Sequence, residues 1–151
     1  MNTRLILASS TLLLIGTCLI SNCSDANIFT PRLITNVDDA EARWKTHQIT
    51  KHSLTQRRGC FCAPQNYPLT LQIDSTSTLT SVRDARGQTV NLAFGRTIPQ
   101  MFADIRALQN RSDATVQVKY DSVYGYPRFI NADPIKAAAD DEYSLETTLV
   151  R

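Results

Sequence analysis

The fold-defining stretch is Val116-Gln-Val-Lys-Tyr-Asp-Ser-Val-Tyr-Gly-Tyr-Pro-Arg-Phe-Ile-Asn-Ala-Asp133. Its first part alternates apolar and polar residues, as a half-buried strand does, with the apolar positions at Val116, Val118 and Tyr120. The alternation then stops, because Gly125 can adopt positive φ and Pro127 has no backbone N–H to donate. We therefore predict a strand, a turn and a second, antiparallel strand from Arg128 to Ala132.

Two helices and further strands are predicted around this hairpin. The first helix begins after an N-cap at Asn36 and ends near Lys45, and the second opens with the capping box Thr97-Ile-Pro-Gln100. The other predicted strands are 49–55, 67–73, 79–84, 89–94 (with Val90, Leu92 and Phe94 inward) and 143–149. These elements predict an α+β domain of order α-β4-α-β3, with a mostly antiparallel sheet and both helices packed on one face.

The N-terminal residues have the composition of an export signal. Arg4 precedes the apolar run Leu5 to Ile20, which contains serine and threonine and is short for a membrane-spanning helix. We predict that residues 1–22 are a signal peptide, residues 23–35 a tether and residues 36–151 a single domain.

The end of this signal, Leu19-Ile-Ser-Asn-Cys23, resembles the bacterial lipobox, in which the cysteine carries lipid. Asn22 departs from the pattern, and Cys18 is a weaker candidate for the same modification. Cleavage after Ser24-Asp-Ala26 would instead give a soluble periplasmic or secreted protein. Lipid on Cys23 would hold the domain at a bacterial membrane outside the cytoplasm, since each buried methylene contributes about 0.8 kcal/mol.

The charge of the chain argues against a nucleic-acid partner. There are 16 lysine and arginine residues against 14 aspartate and glutamate residues, a net charge of +2. Removal of the leader takes away Arg4, and no basic stripe remains that could follow a phosphate backbone.

Cys60 and Cys62 are the sharpest local feature of the domain. In an exported protein we expect them to pair, although a loop of three residues contributes only about 1.6 kcal/mol through chain entropy. The bond would be a local lock on a strand end, or else a strained, reducible pair with a redox function. A metal site is less favoured, because the further ligands would have to be His47 and His52, which face opposite sides of a strand.

No catalytic, cofactor-binding or metal-binding residue is predicted. The usual hydrolase and nucleotide-binding motifs are absent from the sequence, and both histidines are interpreted as exposed strand residues rather than catalytic bases. The tyrosine-rich turn is the candidate for partner binding; alternatively, one ring packs on the sheet and another covers the turn. The candidate binding residues are Tyr120, Asp121, Tyr124, Gly125, Tyr126 and Pro127.

Together, Trp44, Cys60-x-Cys62, the Tyr-Asp-x-x-x-Gly-Tyr-Pro run that ends at Pro127, and Asp141-Glu-Tyr143 resemble a family of small exported bacterial proteins of unknown function, DUF6174. Many members of that family look like lipoproteins, and the resemblance covers roughly residues 39–149. One departure follows Trp44, where aromatic strand residues are usual. The resemblance implies no catalytic residue, ligand or cofactor.

The sequence thus predicts a membrane-anchored, non-enzymatic module that binds an envelope protein or a cell-wall partner. The alternative is a thiol–disulfide or metal-handling protein that acts through Cys60 and Cys62.

Overall fold

The computed structural model describes residues 34–60 and 68–150. The predicted signal peptide, Cys18, Cys23, most of the tether and Cys62 lie outside the described residues. The elements are α1 Val37–Thr46, β1 His52–Cys60, β2 Leu69–Ile73, β3 Leu79–Arg83, a 3-10 helix Leu92–Phe94, α2 Ile98–Gln109, β4 Thr115–Tyr120, β5 Pro127–Asp133 and β6 Tyr143–Val150.

The strands form one six-stranded sheet of order β3-β2-β1-β6-β5-β4. Every neighbouring pair is antiparallel, which confirms an α+β fold with an antiparallel sheet. The C-terminal strand β6 lies between β1 and β5, so it joins the first three strands to the β4–β5 hairpin. As a result, the end of β1 meets the beginning of β6, where Cys60 is paired with Tyr143.

The predicted hairpin is confirmed. β4 and β5 pair from Thr115 with Asp133 to Tyr120 with Pro127, and the register shifts between Lys119 and Tyr120. The extra residue is Arg128 of β5, as in a β-bulge, which bends this strand just after the turn.

The prediction of a fourth strand over 89–94 is wrong, so three strands rather than four precede α2. Thr89 makes only an isolated bridge to Arg83, and a 3-10 helix follows. The cause is local, since the Asn91 side chain accepts a hydrogen bond from the backbone N–H of Ala93 (2.9 Å) and competes with an extended backbone. Val90 is partly buried, but Leu92 and Phe94, expected to point inward, are 45% and 40% exposed.

Strand β1 begins three residues later than predicted and continues to Cys60. Its second half is polar and gives only a weak pattern in the sequence. It is nevertheless a strand, because it pairs with β6 residue by residue, from Ser53 with Val150 to Cys60 with Tyr143.

Both predicted helices are present, with the expected caps. The Asn36 side chain accepts the N–H of Asp39 (2.8 Å), and Thr97 and Gln100 form the reciprocal capping box of α2. The buried side chains are Val37, Ala40 and Trp44 of α1, and Ile98, Met101, Phe102 and Ile105 of α2. Among the described residues, neither helix is long and apolar enough to cross a membrane.

The core is one hydrophobic cluster to which both helices and the strands contribute. Leu54, Leu71, Val82 and Ile105 are fully buried in it. Each of the large apolar side chains contributes about 1.5 to 3 kcal/mol by leaving water, so this cluster is the main source of stability.

Candidate functional site

The tyrosine-rich turn is closed by its own backbone and by the carboxylate of Asp121. The N–H of Asp121 donates to the carbonyl of Tyr126 (2.8 Å), and the N–H of Gly125 donates to the carbonyl of Asp121 (2.9 Å). Oδ1 of Asp121 accepts the backbone N–H groups of Val123 (3.0 Å) and Tyr124 (2.7 Å). Asp121 is therefore a turn-forming residue, as aspartate often is.

This turn is docked on helix α1. Arg43 Nη1 donates to the carbonyl oxygen of Ser122 (2.6 Å), and Nε2 of His47 lies 3.0 Å from the carbonyl oxygen of Val123. The His47 ring also meets the Tyr124 ring edge-on, with 4.9 Å between the ring centroids. The end of α1 and the turn thus hold each other in place.

Three of the predicted binding residues are buried. Gly125 and Pro127 have no appreciable exposure, and Tyr126 is 4% exposed. The Tyr126 hydroxyl accepts the N–H of Leu149 (3.3 Å), and its ring meets the Trp44 ring at 6.4 Å between centroids. These residues position the turn and cannot touch a partner directly.

The other predicted binding residues are partly exposed. Asp121 and Tyr124 face the turn, and Tyr120 packs against the core, where burial raises the pKa of its phenol to about 12. Within the turn only Val123, at 50% exposure, presents a large apolar side chain to solvent. The structure thus brings the six predicted binding residues together, but most of them form the turn or pack against the core.

The two histidines lie in different surroundings. His47 is exposed but caps the end of α1, and His52 lies in β1 but is only 6% exposed, so the interpretation of both as exposed strand residues is wrong. The His52 ring meets the buried Trp44 ring edge-on at 5.5 Å, and Nδ1 lies 3.0 Å from the Thr50 carbonyl oxygen. Burial lowers the pKa of His52, so the neutral imidazole is favoured.

The geometry of β1 separates His52 from Cys60. The two residues are the first and last of the strand, about 26 Å apart at 3.3 Å per residue. They cannot ligate one metal ion, which removes this form of the metal-handling alternative. Within residues 34–60 and 68–150, no group of three or more His, Cys, Asp or Glu side chains is placed to hold a metal ion.

Cys60 forms a disulfide bond. Because Cys62 lies outside the described residues, the pairing of these two cysteines stays a prediction. The preceding Gly59 lets β1 and β6 approach closely, since a Cβ atom there would lie 2.8 Å from Oγ of Ser144. Cys60 lines a shallow depression of about 350 Å³ that also includes Glu142 and Tyr143.

Tyr143 also lines a deeper depression on the side of α2, which we call the Arg58 cleft. It has a volume of about 260 Å³. Its apolar wall is formed by Met101, Leu108, Ile130 and Leu145, and its polar groups are Arg58, Arg96, Asp104 and Tyr143. Most of the lining residues are therefore apolar and a few are polar, as is typical of small-molecule sites.

The two arginines of the cleft have different partners. Arg96 Nε donates to Oδ2 of Asp104 (3.2 Å), and Nη1 donates to the carbonyls of Ala93 and Gly95. Arg58 instead lies over the Tyr143 ring, with Cζ 4.6 Å from the centroid. Its Nε is buried without an acceptor, and no carboxylate of the described residues forms an ion pair with it.

Tyr143 is the aromatic base on which Arg58 rests. Burial raises the pKa of its phenol, and the nearby Asp104 carboxylate adds to this effect, while the two arginines oppose it. The phenol therefore stays neutral and keeps a hydrogen that it can donate.

Gln56 fixes the position of Arg96 from inside the core. Its Nε2 donates to the Arg96 carbonyl (2.7 Å), and its Oε1 accepts the Arg96 N–H (3.0 Å). At 2% exposure, this amide has both its donor and its acceptor satisfied by the backbone that leads into α2.

Sequence reasoning missed both Gln56 and Arg58. The available signal was their spacing, because they continue the every-second-residue series that begins with His52 and Leu54. The sequence predicts Tyr143 as the first residue of the last strand and as part of the family resemblance, but it indicates no role for Tyr143 at a site.

The fold defines the class: an α+β domain with two helices and a six-stranded antiparallel sheet. The model of a family of unknown function, DUF6174, matches residues 36–151, so the chain belongs to that family. This match confirms the resemblance noted in the sequence, while export and lipidation stay predictions. No curated protein and no solved structure matches the chain.

Proposed function

We propose that the protein is a non-enzymatic binding domain, held at a bacterial membrane outside the cytoplasm by lipid on Cys23, which binds its ligand in the Arg58 cleft. The observation that carries the proposal is the Arg58 guanidinium, a permanent cation that lines the cleft over the Tyr143 ring and forms no ion pair with a carboxylate of the described residues.

The polar groups of the cleft favour binding over catalysis. Among its described lining residues, Asp104 is the one carboxylate, and its Oδ2 is engaged by Arg96. General-base catalysis needs a group free to take a proton within hydrogen-bonding reach of the substrate. Arg58 and Tyr143 offer donors and an aromatic surface, which orient a ligand but do not transform it.

The proposed site also depends on both helices lying on one face of the sheet, because α2 forms one side of the cleft. Both helices share a buried cluster with the strands, and Arg106 of α2 forms an ion pair with Glu41 of α1 (2.6 Å). We place both helices on the same face for this reason. The cleft then opens at the rim between α2 and the end of the sheet, where a partner or ligand can reach it.

Anchoring is tested by detergent partitioning of the full chain expressed in a bacterium. We expect the wild-type protein and a Cys18→Ala variant to enter the detergent phase, and a Cys23→Ala variant to stay in the aqueous phase. Lipidation of Cys23 is wrong if the wild-type protein is aqueous, or if Cys23→Ala still partitions into detergent.

The location of the binding site is tested by an NMR screen of the tether and domain, residues 24–151, against small neutral, cationic and anionic fragments. We expect the binders to shift the amide signals of Tyr143 and Leu145 and the Nε–H signal of Arg58. Binders that shift only signals of the turn 121–126 would move the site to the tyrosine-rich turn. A screen without any binder would overturn the proposed cleft.

A second candidate function is thiol–disulfide exchange. It is favoured by the position of Cys60, which is disulfide-bonded and lines an open depression that a partner thiolate could enter. Attack would form a mixed disulfide and release the other cysteine as a thiolate. A reduction potential near about −200 mV would support this function, and one below about −300 mV would support a structural bond.

A further inference from the structure

We propose that the Arg58 cleft recognises a small monocarboxylate with an apolar body. This inference rests on the proposed function, because it names the ligand class of the same cleft. It follows from three properties of the cleft: its unpaired charge, its apolar wall and its volume.

The charge of the cleft favours a ligand with one negative charge. The positive charge of Arg96 is offset by Asp104 at 3.2 Å, which leaves that of Arg58. A guanidinium presents its N–H donors in a planar fork that matches a carboxylate, and such charge-assisted hydrogen bonds are stronger than neutral ones. A dianion would bring one charge more than the cleft can compensate.

The wall of the cleft favours a ligand with an apolar body next to its negative charge. Met101 and Leu108 of α2 and Ile130 and Leu145 of the sheet border the cavity. Covering these side chains with a hydrocarbon removes apolar surface from water, whereas a sugar would lose hydrogen bonds to water without new partners.

The volume of the cleft limits the size of this body. A cavity of about 260 Å³ holds about eight non-hydrogen atoms, if each is given about 30 Å³, the share of one water molecule. Hexanoate, with eight such atoms, and benzoate, with nine, match this volume. Acetate would leave most of the wall uncovered, and a longer chain would extend into solvent.

The test is a titration of the tether and domain, residues 24–151, with hexanoate, followed by NMR at Tyr143, Leu145 and Arg58. Two probes serve as comparisons: 1-hexanol, which keeps the apolar body without the charge, and acetate, which keeps the charge without the body. We expect saturable binding of hexanoate and at least about tenfold weaker binding of both comparison probes.

Two variants locate the charge that is recognised. Arg58→Met should weaken hexanoate binding by about tenfold or more. Arg57→Met is the matched control, since Arg57 is the exposed neighbour on β1 and its side chain faces the other side of the sheet; it should change binding by less than about twofold. Arg58→Lys is the second variant, used if Arg58→Met does not fold. It keeps the charge but loses the planar fork, and it should bind hexanoate more weakly than the wild type.

The outcomes separate this inference from the proposed function. Equal binding of hexanoate and 1-hexanol, or equal effects of the Arg57 and Arg58 variants, would overturn carboxylate recognition while the cleft remained a binding site. Failure of hexanoate together with every fragment of the screen would overturn both.

Discussion

The carbonyl oxygen of Ala40 lies so close to Gly125 that a Cβ atom at position 125 would clash with it. Gly125 also has a φ of +81°, which residues with a side chain rarely adopt. The same glycine therefore closes the turn after β4 and allows that turn to pack directly on helix α1.

The first prediction concerns this glycine. Gly125→Ala should lower the free energy of unfolding by about 2 to 4 kcal/mol, since backbone strain is combined with a steric clash. Gly87→Ala is the matched control, because Gly87 has a φ of +77° but no atom near its added Cβ; it should cost about 1 kcal/mol. Urea unfolding followed by Trp44 fluorescence measures both, and equal losses would show that contact with α1 is unimportant.

The second prediction concerns Asp121. Asp121→Ala removes the oxygen that accepts the N–H groups of Val123 and Tyr124, and should cost about 1 to 2 kcal/mol. Asp121→Asn keeps a carbonyl oxygen in the same place and should cost less than about 1 kcal/mol. If thermal unfolding shows the asparagine variant to be as unstable as the alanine variant, the negative charge rather than the turn geometry is what the fold requires.

The third prediction concerns the buried amide of Gln56. Gln56→Leu leaves the N–H and the carbonyl of Arg96 without their partner, and should cost about 2 to 4 kcal/mol in urea unfolding. Gln72→Leu is the control, since the Gln72 side chain is exposed and its Oε1 accepts a hydrogen bond from the Ser53 hydroxyl; the change should alter stability by less than about 0.5 kcal/mol. Similar losses in the two variants would argue against a special role for Gln56.

The fourth prediction concerns pH. Burial lowers the pKa of His52 in the folded state from its ordinary value of 6.5. At a pH below about 6.5, the unfolded chain therefore binds a proton on His52 more readily than the folded chain does. The contribution of neutral His52 to stability is therefore complete above about pH 7 and decreases as the pH falls through about 6.5. Urea unfolding between about pH 7.5 and 5 should show this loss.

His52→Gln should flatten that pH dependence, because glutamine does not titrate. Ser53→Ala, which changes the next residue on β1 without adding or removing a titrating group, should keep the wild-type slope. Identical slopes for the wild-type protein and His52→Gln would show that protonation of His52 is not coupled to unfolding.

The parts of the fold that the sequence predicted well depend on neighbours along the chain. The caps at Asn36 and Thr97 and the turn at Gly125 are formed by side chains and backbone groups a few residues apart. The failed strand over 89–94 shows the limit of this reasoning. Its apolar alternation matched a strand, but the local hydrogen bond from the N–H of Ala93 to Asn91 ended the extended backbone.

The candidate site was less predictable than the fold. The tyrosine-rich turn was chosen because its rings and hydroxyl groups are typical of contact surfaces, yet Tyr126 is buried against Trp44. The Arg58 cleft could not be predicted, since it is assembled from β1, α2, β5 and β6. No sequence pattern indicates that Arg58 lies on the Tyr143 ring, 85 residues away along the chain.

By itself, the sequence determined the helices, the hairpin, the α+β class and the family to which the chain belongs. Only the tertiary structure decided that β6 is inserted between β1 and β5, that His52 is buried, and that Arg58 lacks an acceptor in a cleft. The physical reason is that caps and turns are stabilised by groups close along the chain, whereas burial and hydrogen-bond partnership depend on which distant segments the sheet brings together.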